Sequence, residues 1–443
     1  MLAFFGLLAS FTDIGFGYCL TYLVPKYFKK KDYKNCWNVY KYSQIISLAT
    51  SLIISLLVAY FAGWLSDHYF KVPEAKSIIY IFTVFLISGS LSSAIERFFI
   101  GLQQEKYYSI IQPVRMGLAL AFTIIIWFTN NSNILYYSIA WATGTVITTF
   151  LFTYILKKKY GYLINKTSWD KELFKLMFGY ALPSSLTTFV LAFIGSISVI
   201  FLTSLKGVRE VGIYEIVLPL AAMSSLILAP INTFILPLIS HLMEGEKEKV
   251  QQLLETALKI IPFVGFYFAL FIILYSSQPI RFLFGEKWVS LAKSPLIILS
   301  VGYIIAQISS FLATVVIGIG KVNERLRALI IIAPINIILT YFLVSRYSVL
   351  GATISGSIIF VISTFMYAGI IFKSIHFKFP IPFYLKLLTI GIVIYSLVTL
   401  LNLYPTNLAQ YLLAGVIYTL IITVLAYFLK LFDKNMLKSL LET

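Results

Sequence analysis

The sequence predicts an all-α polytopic membrane protein that crosses the bilayer about thirteen times. Hydrophobic residues make up 59% of its 443 positions and charged residues only 12%, whereas soluble domains carry roughly 25% charged residues. Apolar runs long enough to span a bilayer, each of roughly 20 residues, recur along the chain. These runs do not alternate apolar with polar residues as the strands of a membrane β-barrel would, so helices are predicted.

Thirteen apolar segments can be marked in order. Irregular backbone is costly in hydrocarbon because its polar groups find no partners, so each segment is predicted to be a helix. The segments are 2–24, 42–66, 77–101, 108–128, 133–157, 176–204, 214–240, 255–276, 293–319, 326–344, 349–372, 385–403 and 409–430.

The positive charges between these segments predict the orientation. One set of alternate loops holds 24 Lys and Arg residues and the opposite set holds 8, and the richer set is expected in the cytoplasm. The C-terminus is then cytoplasmic and the N-terminus lies outside. Because the chain begins almost at its first apolar residue, we expect that a preceding helix is missing; the alternative is a natural outside N-terminus.

The net charge of +17 is read as a topology signal and as attraction to anionic membrane lipids, and nucleic acid is not an expected partner. Cys19 lies in an apolar run and Cys36 in a Lys-rich loop, so no disulfide or metal site is expected. We find no nucleophile–base constellation and no phosphate-binding loop. The sequence therefore predicts neither an enzyme nor a cofactor.

The two halves of the chain resemble each other. The turn at 24–28 parallels 236–240, Ile100–Gly101 parallels Ile317–Gly318, and the triplet at 143–145 parallels 355–357, in order and at offsets of 212 to 217. Matched segments have the same predicted orientation. This pattern is typical of a parallel repeat related by an axis along the membrane normal, with the Lys-rich segment 157–175 between the halves.

Several short motifs in order resemble the polysaccharide-biosynthesis flippases of the multidrug/oligosaccharidyl-lipid/polysaccharide exporter superfamily. They are Asp13-Ile14-Gly15-Phe16-Gly17, Val24-Pro25-Lys26-Tyr27-Phe28, Lys171-Glu172-Leu173-Phe174, Gly179-Tyr180-Ala181-Leu182-Pro183, Val211-Gly212-Ile213-Tyr214, Leu236-Pro237-Leu238-Ile239-Ser240, Leu283-Phe284-Gly285 and Gly351-Ala352-Thr353.

The resemblance implies fourteen helices, here without the first. They would form an N-lobe at 1–160, a C-lobe at 161–376, and two further helices with a cytoplasmic tail at 377–443. It also implies that the chain flips a lipid-linked oligosaccharide, of the polyprenyl-phosphate type, across the cell membrane by alternating access. The alternatives are an H⁺- or Na⁺-coupled small-molecule antiporter of the same superfamily and a membrane glycosyltransferase or polymerase. The family often has an acid in the first helix of the second lobe, whereas 194–198 here has none.

Four ionisable residues within the apolar segments, Asp13, Glu96, Arg97 and Arg115, are candidates for headgroup binding or ion coupling, because a charge in hydrocarbon usually faces a cavity or a partner. Asp13, mid-segment, is predicted to lie on a cavity wall and to bind a cation or proton or orient a positively charged partner; the alternative is an inert cap of a broken helix next to Gly15 and Gly17. Arg115 suits bidentate binding of a headgroup phosphate; the alternative is a salt bridge to Glu96 or Glu105. Arg97 is a weaker candidate because it can snorkel to the interface.

Overall fold

The computed structural model describes residues 1–130, 133–164, 169–243, 246–429 and 431, which contain helices and turns and no strand. The chain divides into two compact units, Met1–Ser196 and Ile197–Thr443. Lys166 of the predicted connecting segment and the predicted tail after residue 431 lie outside the described residues.

The first unit is built around one central helix, α5. The α-helices of this part of the chain are α1 (Leu2–Ala9), α2 (Phe16–Lys29), α3 (Tyr33–Tyr60), α4 (Ala62–Trp64), α5 (Ala75–Gly101), α6 (Glu105–Phe128), α7 (Ile134–Tyr160) and α8 (Lys171–Phe201), the last of which ends in the second unit. A π-helical turn at Leu65–Phe70 follows α4. Helix α5 packs against α2, α3 and α7, and Ile95, Phe98 and Phe99 bury its core face.

The second unit has α13 at its centre. Its α-helices are α9 (Val208–Ala221), α10 (Ser225–Leu242), α11 (Lys247–Tyr275), α12 (Ser277–Phe284), α13 (Val289–Gly318), α14 (Val322–Phe372), α15 (Ile381–Leu400) and α16 (Leu408–Phe428). Helix α13 packs against α9, α10, α11 and α14, while α15 and α16 pack on α11.

Eleven helices among the described residues are long and apolar enough to cross a membrane, and together they cover twelve of the thirteen predicted segments. The prediction of one continuous helix over 2–24 is wrong. The chain leaves the helical conformation between Ala9 and Phe16, where Ile14 and Gly15 have positive φ angles of 44° and 78°. Two consecutive left-handed residues cannot continue a right-handed helix.

Two further segments differ from the predicted helices. Segment 214–240 is divided by a 3-10 turn at Ala222–Ser224, between Pro219 and Pro230, each of which lacks the N–H of the helical ladder. By contrast, 326–344 and 349–372 lie within α14, where only Ser348 is non-helical, with φ 51° and ψ −127°. The turn between these two helices is therefore tighter than the predicted four-residue loop.

Polar side chains support the tight turn in α14. Lys206 Nζ donates to the Ser345 carbonyl at 2.7 Å, and Ser348 Oγ donates to Glu210 Oε2 at 2.8 Å. A β-carbon on Gly351 would overlap the Leu343 carbonyl. The start of α9 and its preceding turn thus hold the two halves of α14 together at the break.

A matched pair of contacts agrees with the predicted repeat. A β-carbon on Gly101 of α5 would lie 2.9 Å from Val24 Cβ of α2, and one on Gly318 of α13 would lie 2.9 Å from Ile239 Cβ of α10. Gly101 and Gly318 are paired by the predicted repeat at an offset of 217, whereas Ile239 lies three residues beyond Leu236, the residue paired with Val24. Each unit therefore brings two equivalent helices together at an equivalent glycine.

Candidate functional site

The break between α1 and α2 places Asp13 outside regular helix. Ser10 Oγ donates to the Leu7 carbonyl at 2.6 Å and Thr12 Oγ1 to the Ala9 carbonyl at 2.8 Å, which caps the end of α1. Asp13 Oδ1 accepts a hydrogen bond of 2.9 Å from the Gly15 N–H. Asp13 thus stabilises the turn before α2 through one carboxylate oxygen, while Gly15 at the start of α2 has no side-chain cap.

The second carboxylate oxygen of Asp13 faces Arg97 of α5. Arg97 Nε lies 4.0 Å from Asp13 Oδ2, and the two side chains are 28% and 21% exposed. The Arg97 guanidinium carbon lies 4.9 Å from the centroid of the Tyr18 ring, within the range of a cation–π interaction. Among the described residues the guanidinium has no hydrogen-bond acceptor. Arg97 is thus held in place while its N–H donors stay available.

Gly17 makes the approach of Asp13 and Arg97 possible. A β-carbon at this position would lie 2.5 Å from Asp13 Oδ2, 2.6 Å from Arg97 Cδ and 2.7 Å from Arg97 Nε. Real β-carbons essentially never approach other heavy atoms this closely. Any side chain at position 17 would therefore separate the two charged groups.

Helix α8 supports the same break from another side, through residues of the first unit. Tyr18 Oη and Thr188 Oγ1 share a hydrogen bond of 3.0 Å. Gly15 faces the Ala181 carbonyl, and a β-carbon on Gly15 would lie 2.9 Å from the Ser185 nitrogen. The start of α2 and the Tyr18 ring are thus fixed by α8 as well as by α5.

Arg115 lies on α6 and reaches the neighbouring α5. Arg115 Nη2 donates to Ser92 Oγ at 2.8 Å, while its buried Nε has no hydrogen-bond partner. Glu96 is one helical turn beyond Ser92 and attracts Arg115 electrostatically. The alternative of a salt bridge from Arg115 to Glu96 or Glu105 is wrong: neither acid lies within 4.0 Å of it in the described structure.

All four predicted residues therefore meet around one helix. We call Asp13, Glu96, Arg97 and Arg115 the charged cluster. Arg97 pairs with Asp13, and the adjacent Glu96 lies near Arg115. Sequence reasoning missed the residues that build the cluster, namely Gly17, Tyr18 and Ser92, although Gly17 and Tyr18 lie within or next to the Asp13–Gly17 motif.

Two other intramembrane charges were also missed, both in the second unit. Glu215 is the eighth residue of α9, because that helix begins at Val208 rather than at the predicted 214. Lys259 is half-buried in α11, which begins at Lys247. Both residues lie close to the start of a predicted segment, where a charged side chain can reach water and does not indicate a functional site.

The side chains that usually bind metal ions are not grouped into a site in the part of the chain that the structure describes. No group of three or more His, Cys, Asp or Glu residues there could hold a metal ion. Cys19 and Cys36 are free and buried, and Cys19 Sγ donates to the Met177 carbonyl at 3.3 Å.

Comparison with known families identifies the chain. The family model for polysaccharide biosynthesis proteins matches residues 1–243, more than half of the sequence. The chain belongs to this family. The resemblance inferred from short motifs is thereby confirmed, and the matched range of the polysaccharide biosynthesis protein contains the whole charged cluster. A second family model, MatE, matches residues 183–342.

Relatives and solved structures agree with this family. An uncharacterized membrane protein of Methanocaldococcus jannaschii is 22% identical over 435 residues, covering 94% of this chain and 85% of the relative. The lipid II flippase MurJ has a TM-score of 0.71 at 15% identity, covering 96% of this chain and 97% of MurJ. A multidrug resistance MATE family transporter also has a TM-score of 0.71, at 17% identity, covering 84% and 89%. The fold is therefore the one shared by MurJ and MATE transporters.

Proposed function

We propose that this protein is a transporter, rather than an enzyme, that flips a lipid-linked oligosaccharide or polysaccharide repeat unit across the cell membrane by alternating access. Family membership and the fold shared with a lipid II flippase support this proposal. The observation that carries it is the state of Arg97, a partly exposed guanidinium that is anchored by Asp13 and Tyr18 but has no hydrogen-bond acceptor among the described residues.

The proposed substrate carries a polyprenyl-phosphate type headgroup, which is anionic. A guanidinium presents five N–H donors in a planar fork that matches phosphate oxygens. In water-poor surroundings such charge-assisted hydrogen bonds offset part of the cost of removing the headgroup from water. Arg97 would bind the phosphate, while Asp13 keeps the guanidinium in position when the site is empty.

Arg115 supplies a second cation to the charged cluster. Its Nη2 is occupied by Ser92, and its buried Nε has no partner. Glu96 attracts both arginines of the cluster. We propose that Arg115 adds positive potential near the headgroup and that Glu96 limits the net charge of the empty site.

The finer location follows from the charged loops. We propose that the protein lies in the cytoplasmic membrane with its C-terminus in the cytoplasm, because the loops and tail on that face hold 24 Lys and Arg residues against 8 on the other. The proposed lobes are 1–160 and 161–376, followed by the two helices from 377 onwards. Membrane lipids and a coupling ion, H⁺ or Na⁺, are the further proposed partners.

Removal of the protein tests the function directly. In cells without it, the lipid-linked glycan should accumulate on the cytoplasmic leaflet, where a membrane-impermeant glycosidase added to spheroplasts does not reach it. Re-expression of the wild-type chain should restore accessibility. Normal accessibility in the deletion strain would refute the flippase proposal.

The same assay tests Arg97. Loss of one charge-assisted phosphate contact, worth about 1.5–3 kcal/mol, should reduce flipping by Arg97→Gln about tenfold or more. Arg97→Lys should retain part of the activity, because it keeps the charge but loses the fork. Arg327→Gln, which removes an exposed arginine of α14, is the control. Equal activity of Arg97→Gln and Arg327→Gln would exclude Arg97 from headgroup binding.

A second candidate function is cation-coupled antiport of small molecules, favoured by the MatE match and by a carboxylate at a helix break. Asp13 would be the coupling acid. Drug efflux from vesicles that depends on a H⁺ or Na⁺ gradient and is lost in Asp13→Asn would support it. If drug efflux is absent or does not depend on an ion gradient, and glycan flipping is normal, the flippase function is supported and the antiport function is refuted.

A further inference from the structure

Two adjacent cavities in the second unit lie far along the chain from the charged cluster. One has a volume of about 560 Å³ and is lined by polar and cationic side chains, among them Ser277, Gln278, Arg281, Lys293 and Thr406. The other, of about 300 Å³, is lined mostly by apolar side chains of α15, α16 and the loop between them, with Tyr275 at the end of α11. The two share Tyr404 and Pro405 as lining residues.

The polar cavity carries net positive charge. The junction of α12 and α13, residues 277–293, contains three cations (Arg281, Lys287 and Lys293) and a single acid, Glu286. Arg281 pairs with Glu286, whereas the exposed Lys293 makes no ion pair within the described residues. The cavity thus offers one neutralised and one free cation to an anion.

The position of the polar cavity corresponds to the membrane boundary. It is lined by residues at the end of α11 and in the loop between α15 and α16, where the apolar spans end. Buried Gln278 donates to the Pro405 carbonyl at 3.3 Å, which fixes this loop to α12. Leu283 and Phe284 of α12 are 66% and 42% exposed, as expected for a short helix lying at an interface.

The apolar cavity extends from this boundary into the span. Its lining on α16 runs from Gln410 to Ile421, and the helix rises by about 16 Å over the eleven steps between these residues. Val398 lines it from α15. A cationic pocket at the interface that continues into an apolar groove along a spanning helix matches the two parts of a phospholipid.

We propose that these cavities form a binding site for one resident anionic phospholipid, with its phosphate at Lys293 and Arg281 and an acyl chain along α16. The site does not depend on the proposed transport function, since it uses none of the residues of the charged cluster. Its occupant would fix the two C-terminal helices to α11–α13. The net positive charge selects an anionic headgroup over a zwitterionic one.

Native mass spectrometry of the full-length, delipidated protein tests this proposal. Dioleoylphosphatidylglycerol and dioleoylphosphatidylcholine have the same acyl chains and differ in headgroup charge. The phosphatidylglycerol should bind at one molecule per chain and about tenfold more tightly than the phosphatidylcholine, since only the latter brings a cationic choline group close to Lys293 and Arg281. Equal affinities would overturn the proposal.

Variants identify the site. Lys293→Gln removes an exposed lysine without breaking an ion pair, so it should weaken phosphatidylglycerol binding about tenfold and leave the fold intact. Lys76→Gln, an exposed lysine of the first unit, is the matched control. Ile417→Trp should block the groove, whereas Ile392→Trp, on an exposed part of α15 outside it, should not. Unchanged binding in Lys293→Gln and Ile417→Trp would refute this location.

Competition distinguishes the ligand from related anions. Water-soluble glycerophosphoglycerol should not displace the lipid, because it lacks the acyl chain. Displacement by it would assign the pocket to a free phosphate compound instead. Displacement by equimolar polyprenyl phosphate would assign the site to the substrate carrier and overturn a resident phospholipid.

Discussion

Arg97 Nε lies 4.0 Å from Asp13 Oδ2, and the space between α2 and α5 that this pair requires is left open by the missing side chain of Gly17. The ion pair is too long for a strong hydrogen bond, and both side chains keep some exposure. It therefore restrains Arg97 without consuming its donors. This arrangement suits the proposed role of Arg97, in which the guanidinium exchanges the Asp13 carboxylate for the phosphate of the substrate.

Gly17→Ala should disrupt the charged cluster selectively. The new β-carbon would overlap Asp13 and Arg97, so we expect Arg97 to move away, glycan flipping to fall about tenfold, and the free energy of unfolding to fall by about 1–3 kcal/mol. Flipping in proteoliposomes and thermal unfolding measure the two effects. Gly89→Ala in α5 meets no atom within 4 Å and should lose neither. Full activity of Gly17→Ala would contradict the importance of this spacing.

Ser92→Ala should destabilise the contact between α5 and α6. It removes the hydrogen bond from Arg115 Nη2 and leaves a second nitrogen of a buried guanidinium without a partner, at a cost of about 1–3 kcal/mol. Ser90→Ala is the control, because Ser90 is similarly buried and bonds only within its own helix, to the Ile87 carbonyl. Thermal unfolding in detergent compares them. Equal stabilities would show that the Ser92 bond contributes nothing.

The equivalent glycines of the two units should respond alike to substitution. Gly101→Ala and Gly318→Ala each place a β-carbon 2.9 Å from a β-carbon of the partner helix, and overpacking of this kind costs about 1–3 kcal/mol. Gly101→Ala should cost more, since it also meets the Leu20 backbone carbonyl, whereas the nearest atom to Gly318 is a side-chain methyl of Ile239. Thermal unfolding measures both. Gly117→Ala and Gly356→Ala, in open space, serve as controls; destabilisation by these as well would point to a backbone effect.

Ser348 combines backbone strain with a stabilising hydrogen bond. Its φ of 51° and ψ of −127° are costly for any residue except glycine, by about 1–3 kcal/mol. Ser348→Ala loses the bond to Glu210 and keeps the strain, while Ser348→Gly loses the bond and relieves the strain. We expect Ser348→Gly to be the more stable variant by about 1–3 kcal/mol, as measured by thermal unfolding. The opposite order would mean that the strain is absent in the membrane.

The helical segments could be predicted because long apolar runs have few other solutions in a bilayer. The helix break at Asp13 was considered only as an alternative, since average hydropathy over 2–24 hides a short turn and the positive φ of Ile14 leaves no trace in composition. Local backbone conformation is decided there by contacts with α5 and α8, which come from distant parts of the sequence.

The charged residues of the cluster could likewise be predicted, but not all of their partners. Opposite charge suggested Glu96 or Glu105 as the salt-bridge partner of Arg115. The packing of α6 on α5 instead brings Ser92 within hydrogen-bond distance of Arg115. Glu215 was missed because the start of α9 lay six residues before the predicted segment. Hydropathy predicts the position of a helix better than it predicts the residues at which the helix begins and ends. How far a charged residue lies inside a spanning helix depends on those end residues.

The separation of Asp13 and Arg97 in the sequence has a consequence for biogenesis. A ribosome completes Asp13 84 residues before Arg97, with α3 in between. Asp13 must therefore leave the translocon before its counter-charge has been synthesised, although an unpaired charge is costly within a membrane. Nascent chains halted just before α5 should hold the first segment less firmly in the bilayer than chains halted after it, so that the pair acts as an assembly checkpoint as well as a part of the site.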